Sequence, residues 1–171
     1  MLKKLKRAVV RNASQAIVGG FRPPESPLTS WFGKVLVATA EETWPMSNGT
    51  PMMPLCQFNL TECPFVPELL SDIAFLTVFI DGDELPQDPS NGEGWLLRAY
   101  HKLDDLVAIQ GPTKPGWSIR SFPIKWQLLQ EDYPSRDDLV DIELPPEVDE
   151  NYSELFENQN GTKIGGWPTL I

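Results

Sequence analysis

Seventeen prolines and twelve glycines fall within 171 residues. Proline lacks an N–H and clashes with the preceding helical turn, and both residues are turn formers first. A chain so punctuated does not build a helical bundle. It folds as short elements joined by many turns. Six tryptophans and 41% apolar residues argue against disorder. The length fits one domain with a real core. No window of about 18 apolar residues occurs, so no membrane span is expected.

Charge is distributed unevenly. Residues 1–23 carry six basic side chains (Lys3, Lys4, Lys6, Arg7, Arg11, Arg22) and no acidic one. The remainder carries eight basic and 24 acidic residues, which gives the net −10. Residues 131–157 alone hold 11 acidic residues against one basic residue, Arg136. An acidic body repels phosphates, so nucleic acid is not an expected partner. A basic protein partner fits better. The simplest alternative is that the charge only keeps the protein soluble. Cys56 and Cys63 are the only cysteines and make no disulfide framework. The run Ala8-Val9-Val10 is too short for a signal peptide's apolar region of about 7–15 residues. The expected location is the cytoplasm, with both thiols reduced.

Leu2, Leu5, Val9, Ala13, Ala16 and Ile17 fall near one face at helical spacing, with basic residues opposite. An amphipathic helix over 2–18 is expected, stopped at Gly19-Gly20. It either packs on the domain, hangs as a basic arm, or makes weak peripheral contact with an anionic membrane. Pro23, Pro24 and Pro27 mark a linker. The expected organisation is therefore a helix and linker over 1–28 and a domain over 29–171. Strands are expected at 35–38, 55–60, 73–80, 95–100, 106–110, 117–121, 122–129 and 139–144, with a helical turn or two at 153–158. Residues 55–60 alternate as a half-buried strand does, and 73–80 is apolar on both faces like a central strand. The fold class expected is α+β: mostly antiparallel β-sheet, an N-terminal helix and long Pro/Gly-rich loops.

Two separated signatures carry a resemblance. The first runs through Trp44-Pro45, Gly49-Thr50-Pro51-Met52 and Gln57-Phe58-Asn59-Leu60 into the strand-like run Ala74 to Asp81. The second is Lys163-Ile164-Gly165-Gly166-Trp167-Pro168. Together they resemble the YwqG-like family, bacterial domains of unsettled biochemical role. Asp132-Tyr133-Pro134 also resembles a family feature. The resemblance implies a glycine-proline element in each half. The upstream counterpart, Ser30-Trp31-Phe32-Gly33-Lys34, lacks the second glycine and the proline, and Thr162 stands where a histidine is common. It also implies that the chain stops early, since family members usually continue past the second signature. It supplies no catalytic motif. It implies, loosely, an immunity-like role linked to bacterial toxin systems.

Candidate chemistry comes with a structural alternative in each case. Gly165-Gly166-Trp167-Pro168 makes either a backbone corner open to a ligand or a tight turn that seats Trp167. Trp44 stacks on a ligand or lies in the core. Gln57 and Asn59 share a strand face and bind a sugar or peptide, or else satisfy a neighbouring loop. The carboxylates Asp132, Asp137, Asp138, Asp141 and Glu143 form either a face for a cationic partner or a solvated run. His101, the lone histidine, has no recognisable nucleophile partner. Cys56, Cys63 and His101 match no zinc spacing. A calcium loop starting at Asp81 fails at Leu85, Pro86 and Gly92. No catalytic residue, metal or cofactor is expected. The expected function is a non-enzymatic protein-binding domain. The alternatives are a small-molecule or carbohydrate-binding module lined by Trp44, Gln57, Asn59, Gly165, Gly166 and Trp167, or an incomplete domain that dimerises to hide apolar surface.

Overall fold

The computed structural model describes residues 2–82, 90–113, 116–139 and 142–168. Asp141, the Asp83-Glu84 turn and residue 115 of the Pro115-Gly116 turn lie outside them. Eleven strands run in chain order among the described residues: β1 (Arg11–Val18), β2 (Trp31–Phe32), β3 (Val37–Ala38), β4 (Met46–Ser47), β5 (Thr50–Pro51), β6 (Met53–Asn59), β7 (Phe75–Ile80), β8 (Trp95–Tyr100), β9 (Val107–Ala108), β10 (Phe122–Asp132) and β11 (Lys163–Gly165). The α-helices are α1 (Leu2–Val9), α2 (Pro146–Asp149) and α3 (Tyr152–Leu155). The protein is mostly antiparallel β with an N-terminal helix, as expected.

The chain forms two compact units. One comprises residues 1–16, 63–68 and 126–171; the other comprises 17–62 and 69–125. This division differs from a boundary between 28 and 29. The N-terminal residues pair with the distant C-terminal signature, and β10 passes from one unit into the other.

In the unit that holds both ends of the chain, β1 is hydrogen-bonded to β11 and β10. The β1–β11 ladder is antiparallel, with Ala13 opposite Gly165 and Gln15 opposite Lys163. The helix expected over 2–18 is corrected by this pairing. It ends at Val9, and Arg11–Val18 is a strand. Apolar periodicity over 2–9 is genuine: Leu2, Leu5 and Val9 pack on Tyr133, Leu139, Val148, Tyr152 and Phe156. Beyond it, the backbone groups of 13–15 gain a ladder partner some 150 residues away, which local spacing cannot reveal. The strand expected at 139–144 is likewise corrected. Asp137–Leu139 is a 3₁₀ turn and 142–144 is not strand.

In the other unit, the first residues of β10 start the order β10-β2-β6-β7-β8, antiparallel at every step. The pairs β3–β9 and β4–β5 complete it. The strand expected at 117–121 does not form in its described residues. Residues 106–110 shrink to the two-residue β9. Strand β6 is buried at Cys56, Gln57, Phe58 and Asn59 alike, so it is covered on both faces rather than half-buried. Pro54 is tolerated because the ladder shifts register between Pro54 and Cys56. Among the described residues the core includes the clusters Val35, Met52 and Phe79, and Val37, Phe75 and Tyr100.

Two polar groups organise this core, Gln57 buried and Glu42 half-buried. Gln57 is fully buried, and its amide nitrogen donates to the carbonyls of Pro27 (2.8 Å) and Thr29 (2.6 Å). Its amide oxygen accepts from the Leu36 N–H at 2.7 Å. One side chain thus satisfies backbone groups on both sides of β2. Replacing Gln57 by leucine orphans three backbone groups. Gln57→Leu is expected to destabilise the protein by about 3 kcal/mol or more in urea unfolding, at about 1–3 kcal/mol for each unmet group.

Glu42 accepts from the Tyr100 hydroxyl (2.9 Å) and the Thr39 N–H (3.0 Å), and its other oxygen lies 3.2 Å from Arg98 Nε. Burial alone would raise the Glu42 carboxyl, but the Thr39 and Tyr100 hydrogen bonds and the Arg98 charge hold it below the usual 4.5. Burial chiefly pushes the Tyr100 phenol up to about 12. A depressed carboxyl contributes stability above its unfolded value, and that contribution is lost as pH falls through the folded one. Glu42→Gln should therefore lower the urea midpoint at neutral pH. The difference from the native protein should close below pH 4.5; an undiminished difference in acid contradicts the linkage.

Candidate functional site

The residues expected to line one ligand pocket are tied into structure separately. Trp44, Gln57 and Asn59 belong to one unit, and Gly165, Gly166 and Trp167 to the other. Gln57 is spent on its loop. Asn59 is buried, donates to the Leu28 carbonyl (3.2 Å) and accepts from the Thr61 N–H and hydroxyl. Trp44 donates its indole N–H to the Met52 carbonyl (2.9 Å), meets Phe79 edge-on and lies parallel to Trp117 at 6.3 Å. It is half-buried, so the core reading describes it better than a free stacking platform does.

The Gly165-Gly166 corner closes on a buried ion pair. Asp132, expected on an exposed acidic face, is instead wholly buried. Lys163, on β11, places its ammonium 2.9 Å from Asp132 Oδ2 and 3.1 Å from Oδ1. The Gln159 N–H (3.1 Å) and the Trp167 N–H (2.7 Å) donate to the same carboxylate. Buried charge is tolerated only when paired and hydrogen-bonded in this way. Both glycines have positive φ, +83° and +72°. A Cβ on Gly165 would stand 2.8 Å from the Phe65 ring, and one on Gly166 would collide with Asp132 and stand 3.0 Å from the Ala13 Cβ. Trp167 then donates its indole N–H to the Val9 carbonyl (2.7 Å), and the Arg11 guanidinium lies 3.4 Å from its ring centroid. Gly33 at the end of β2 is a partial echo. It has φ +68°, and a Cβ there would stand 2.5 Å from the Arg120 carbonyl oxygen.

The other acidic residues divide. Asp137 and Glu143 are exposed. Asp138 is half-buried and accepts from the N–H (2.8 Å) and hydroxyl (2.9 Å) of Ser135, so it closes a turn. The described carboxylates added by 147–157 are exposed: Glu147, Asp149, Glu150, Glu154 and Glu157. These were not singled out by sequence reasoning, although they belong to the same charge run.

That run surrounds a cleft of about 470 Å³ contained within one unit. Pro134, Tyr152 and Phe156 form its apolar part, with the Tyr152 and Phe156 rings stacked at 4.5 Å and 13°. Asp149, Glu150 and Glu157 supply carboxylates, and Ser135, Ser153 and Asn158 neutral polar groups. Arg136 is the one basic lining residue and is paired with Asp149. The Tyr152 hydroxyl donates to the Pro134 carbonyl at 2.9 Å, which pins the wall. The only sequence signal for this cleft was the i, i+4 spacing of Tyr152 and Phe156 in an acidic segment.

Burial pushes the Cys56 thiol up to about 12, far from a reactive thiolate. His101 is exposed, with Nδ1 2.8 Å from the Asp72 carbonyl oxygen. Among the described residues no group of three metal-ligating side chains converges, and no helix is long and apolar enough to cross a membrane. The apolar side of α1 is already packed, which leaves Lys3, Lys4 and Arg7 as its exposed charges. A membrane contact through residues 1–18 would thus lack the apolar insertion that an interfacial helix uses.

Compared with known proteins, the chain matches no family model and no curated sequence. The YwqG-like resemblance rests on its motifs alone.

The packing makes Gly166 far less replaceable than Gly49, which also has positive φ but has nothing within 4 Å of a Cβ. Gly49→Ala should cost about 1 kcal/mol, the usual left-handed penalty. Gly166→Ala should cost about 3 kcal/mol, because an added clash presses on a buried charge. Thermal unfolding of the two variants checks the difference.

Proposed function

We propose that this chain is a non-enzymatic protein-binding domain that recognises a basic partner through its acidic segment, in the manner of an immunity-like inhibitor of a bacterial toxin. The observation that carries this reading is the exposure of Asp137, Glu143, Glu147, Asp149, Glu150, Glu154 and Glu157 within one unit, while the segment's sole basic residue is already paired. A dense field of one sign raises association rates and rejects like-charged partners. Recognition of nucleic acid is disfavoured on the same ground. The internal hydrogen bonds of Gln57, Asn59, Trp44 and Trp167 weigh against the ligand-module alternative. On this reading the protein works in the cytoplasm, with Cys56 and Cys63 as free thiols.

The test is capture of a partner by the tagged chain from native lysate, followed by binding kinetics at low and high salt. The partner is expected to be basic, with an association rate that falls steeply as salt rises. The double charge reversal Asp137→Lys/Glu143→Lys should slow association about tenfold at low salt. Association that ignores both salt and charge reversal sinks the reading.

A further inference from the structure

The cleft beside the acidic segment has a composition more specific than a solvated charge run. Three carboxylates, Asp149, Glu150 and Glu157, face one guanidinium, Arg136, so its lining carries an excess of two negative charges. Its volume of about 470 Å³ lies in the range of side-chain and small-ligand pockets, ~300–1,000 Å³. Pro134, Tyr152 and Phe156 line it as well, and the two aromatic side chains are buried, 5% and 3% exposed. A metal ion does not suit it, since no three ligating groups converge among the described residues.

The same unit already shows how its aromatic rings take cations. Lys6 Nζ stands 5.4 Å from the Tyr133 centroid and 5.5 Å from that of Phe156. Arg11 lies over Trp167 at 3.4 Å. Arg136 shows how one cleft carboxylate and a backbone carbonyl outside the cleft engage a guanidinium. Its Nε pairs with Asp149 while Nη1 donates to the Leu139 carbonyl at 2.9 Å. Rings plus carboxylates plus neutral acceptors match a planar five-donor fork better than a point-charge ammonium.

We propose that this cleft is the pocket for an arginine side chain of the partner protein, seated against Tyr152 and Phe156 and held by Asp149, Glu150 and Glu157. This inference rests on the reading of the acidic segment as the recognition face. It adds a specific anchor to that face's long-range attraction. The incoming guanidinium shares or displaces Arg136 at Asp149, where both side chains are partly solvent-exposed. Anchors of this kind, not the surrounding charge, set the dissociation rate.

The probe is the peptide acetyl-Gly-Arg-Gly-amide titrated into the isotopically labelled full chain and followed by amide NMR shifts. Its lysine counterpart and its citrulline counterpart, an uncharged isostere of arginine, serve as comparisons. Saturable shifts are expected at Ser135, Ser153 and Asn158. Arginine should bind about tenfold tighter than citrulline and about threefold tighter than lysine. Ser153→Trp fills the cleft from an exposed position without changing charge and should weaken the arginine peptide about tenfold; Ser153→Phe stands in if tryptophan disturbs the fold. Asp137→Lys/Glu143→Lys, outside the cleft, should change it less than about threefold. Equal binding of arginine and citrulline peptides overturns the pocket, as does native-like binding by a folded Ser153 variant. If salt-sensitive shifts then spread over Asp137 and Glu143 instead, the acidic face stands without its pocket. If neither cationic peptide produces a salt-sensitive shift anywhere, both readings fall.

Discussion

The carboxylate of Asp132 is the constraint on which one half of this molecule depends. It lies at the end of β10, fully buried, and gathers Lys163, Gln159 and Trp167 from a segment 27 to 35 residues later. Removing one partner from such a buried pair typically costs about 3–5 kcal/mol, because the other charge is left unmet. The pair explains the second of the two glycines after Ile164: at Gly166 the backbone turns with positive φ directly against the carboxylate, whereas a Cβ on Gly165 would meet the Phe65 ring. Once that corner is set, Trp167 reaches the end of α1 through the Val9 carbonyl. The amphipathic helix is then committed to this unit's core.

The other unit solves a similar problem with a neutral group. Gln57 bonds the irregular chain on either side of β2, at Pro27, Thr29 and Leu36. Both units therefore use a buried polar side chain to anchor irregular chain, which suits a sequence so rich in proline. Outside its ladders, every buried N–H and carbonyl still needs a partner.

These two anchors also sort the polar residues for function. Those withdrawn to hold the fold (Asp132, Gln57, Asn59) are not available to a ligand. What remains at the surface is a carboxylate-rich segment with few internal duties. In the cleft between Arg136, α2 and α3, carboxylates, aromatic side chains and concavity coincide. Long-range attraction and a local anchor are separable physical roles, and the segment has the parts for both.

The sequence by itself determined some of the local elements. Alternation placed β6 and β-branching β7 within two residues, 95–100 was expected at the observed bounds of β8, and proline and glycine density excluded a bundle. Apolar spacing marked the start of α1, and the glycine pair marked the corner after β11. Tertiary structure alone decided where α1 stops, since the ladder with β11 converts 11–18 to strand. It alone decided that Asp132 differs from Asp137: the two look identical in an acidic run, and only a lysine 31 residues away makes burial of one tolerable. It also decided that Gln57 and Asn59 face loop backbone instead of solvent. The reason is common to all three. Propensity and periodicity are properties of neighbours along the chain, whereas burial and charge pairing are set by partners that only folding brings close.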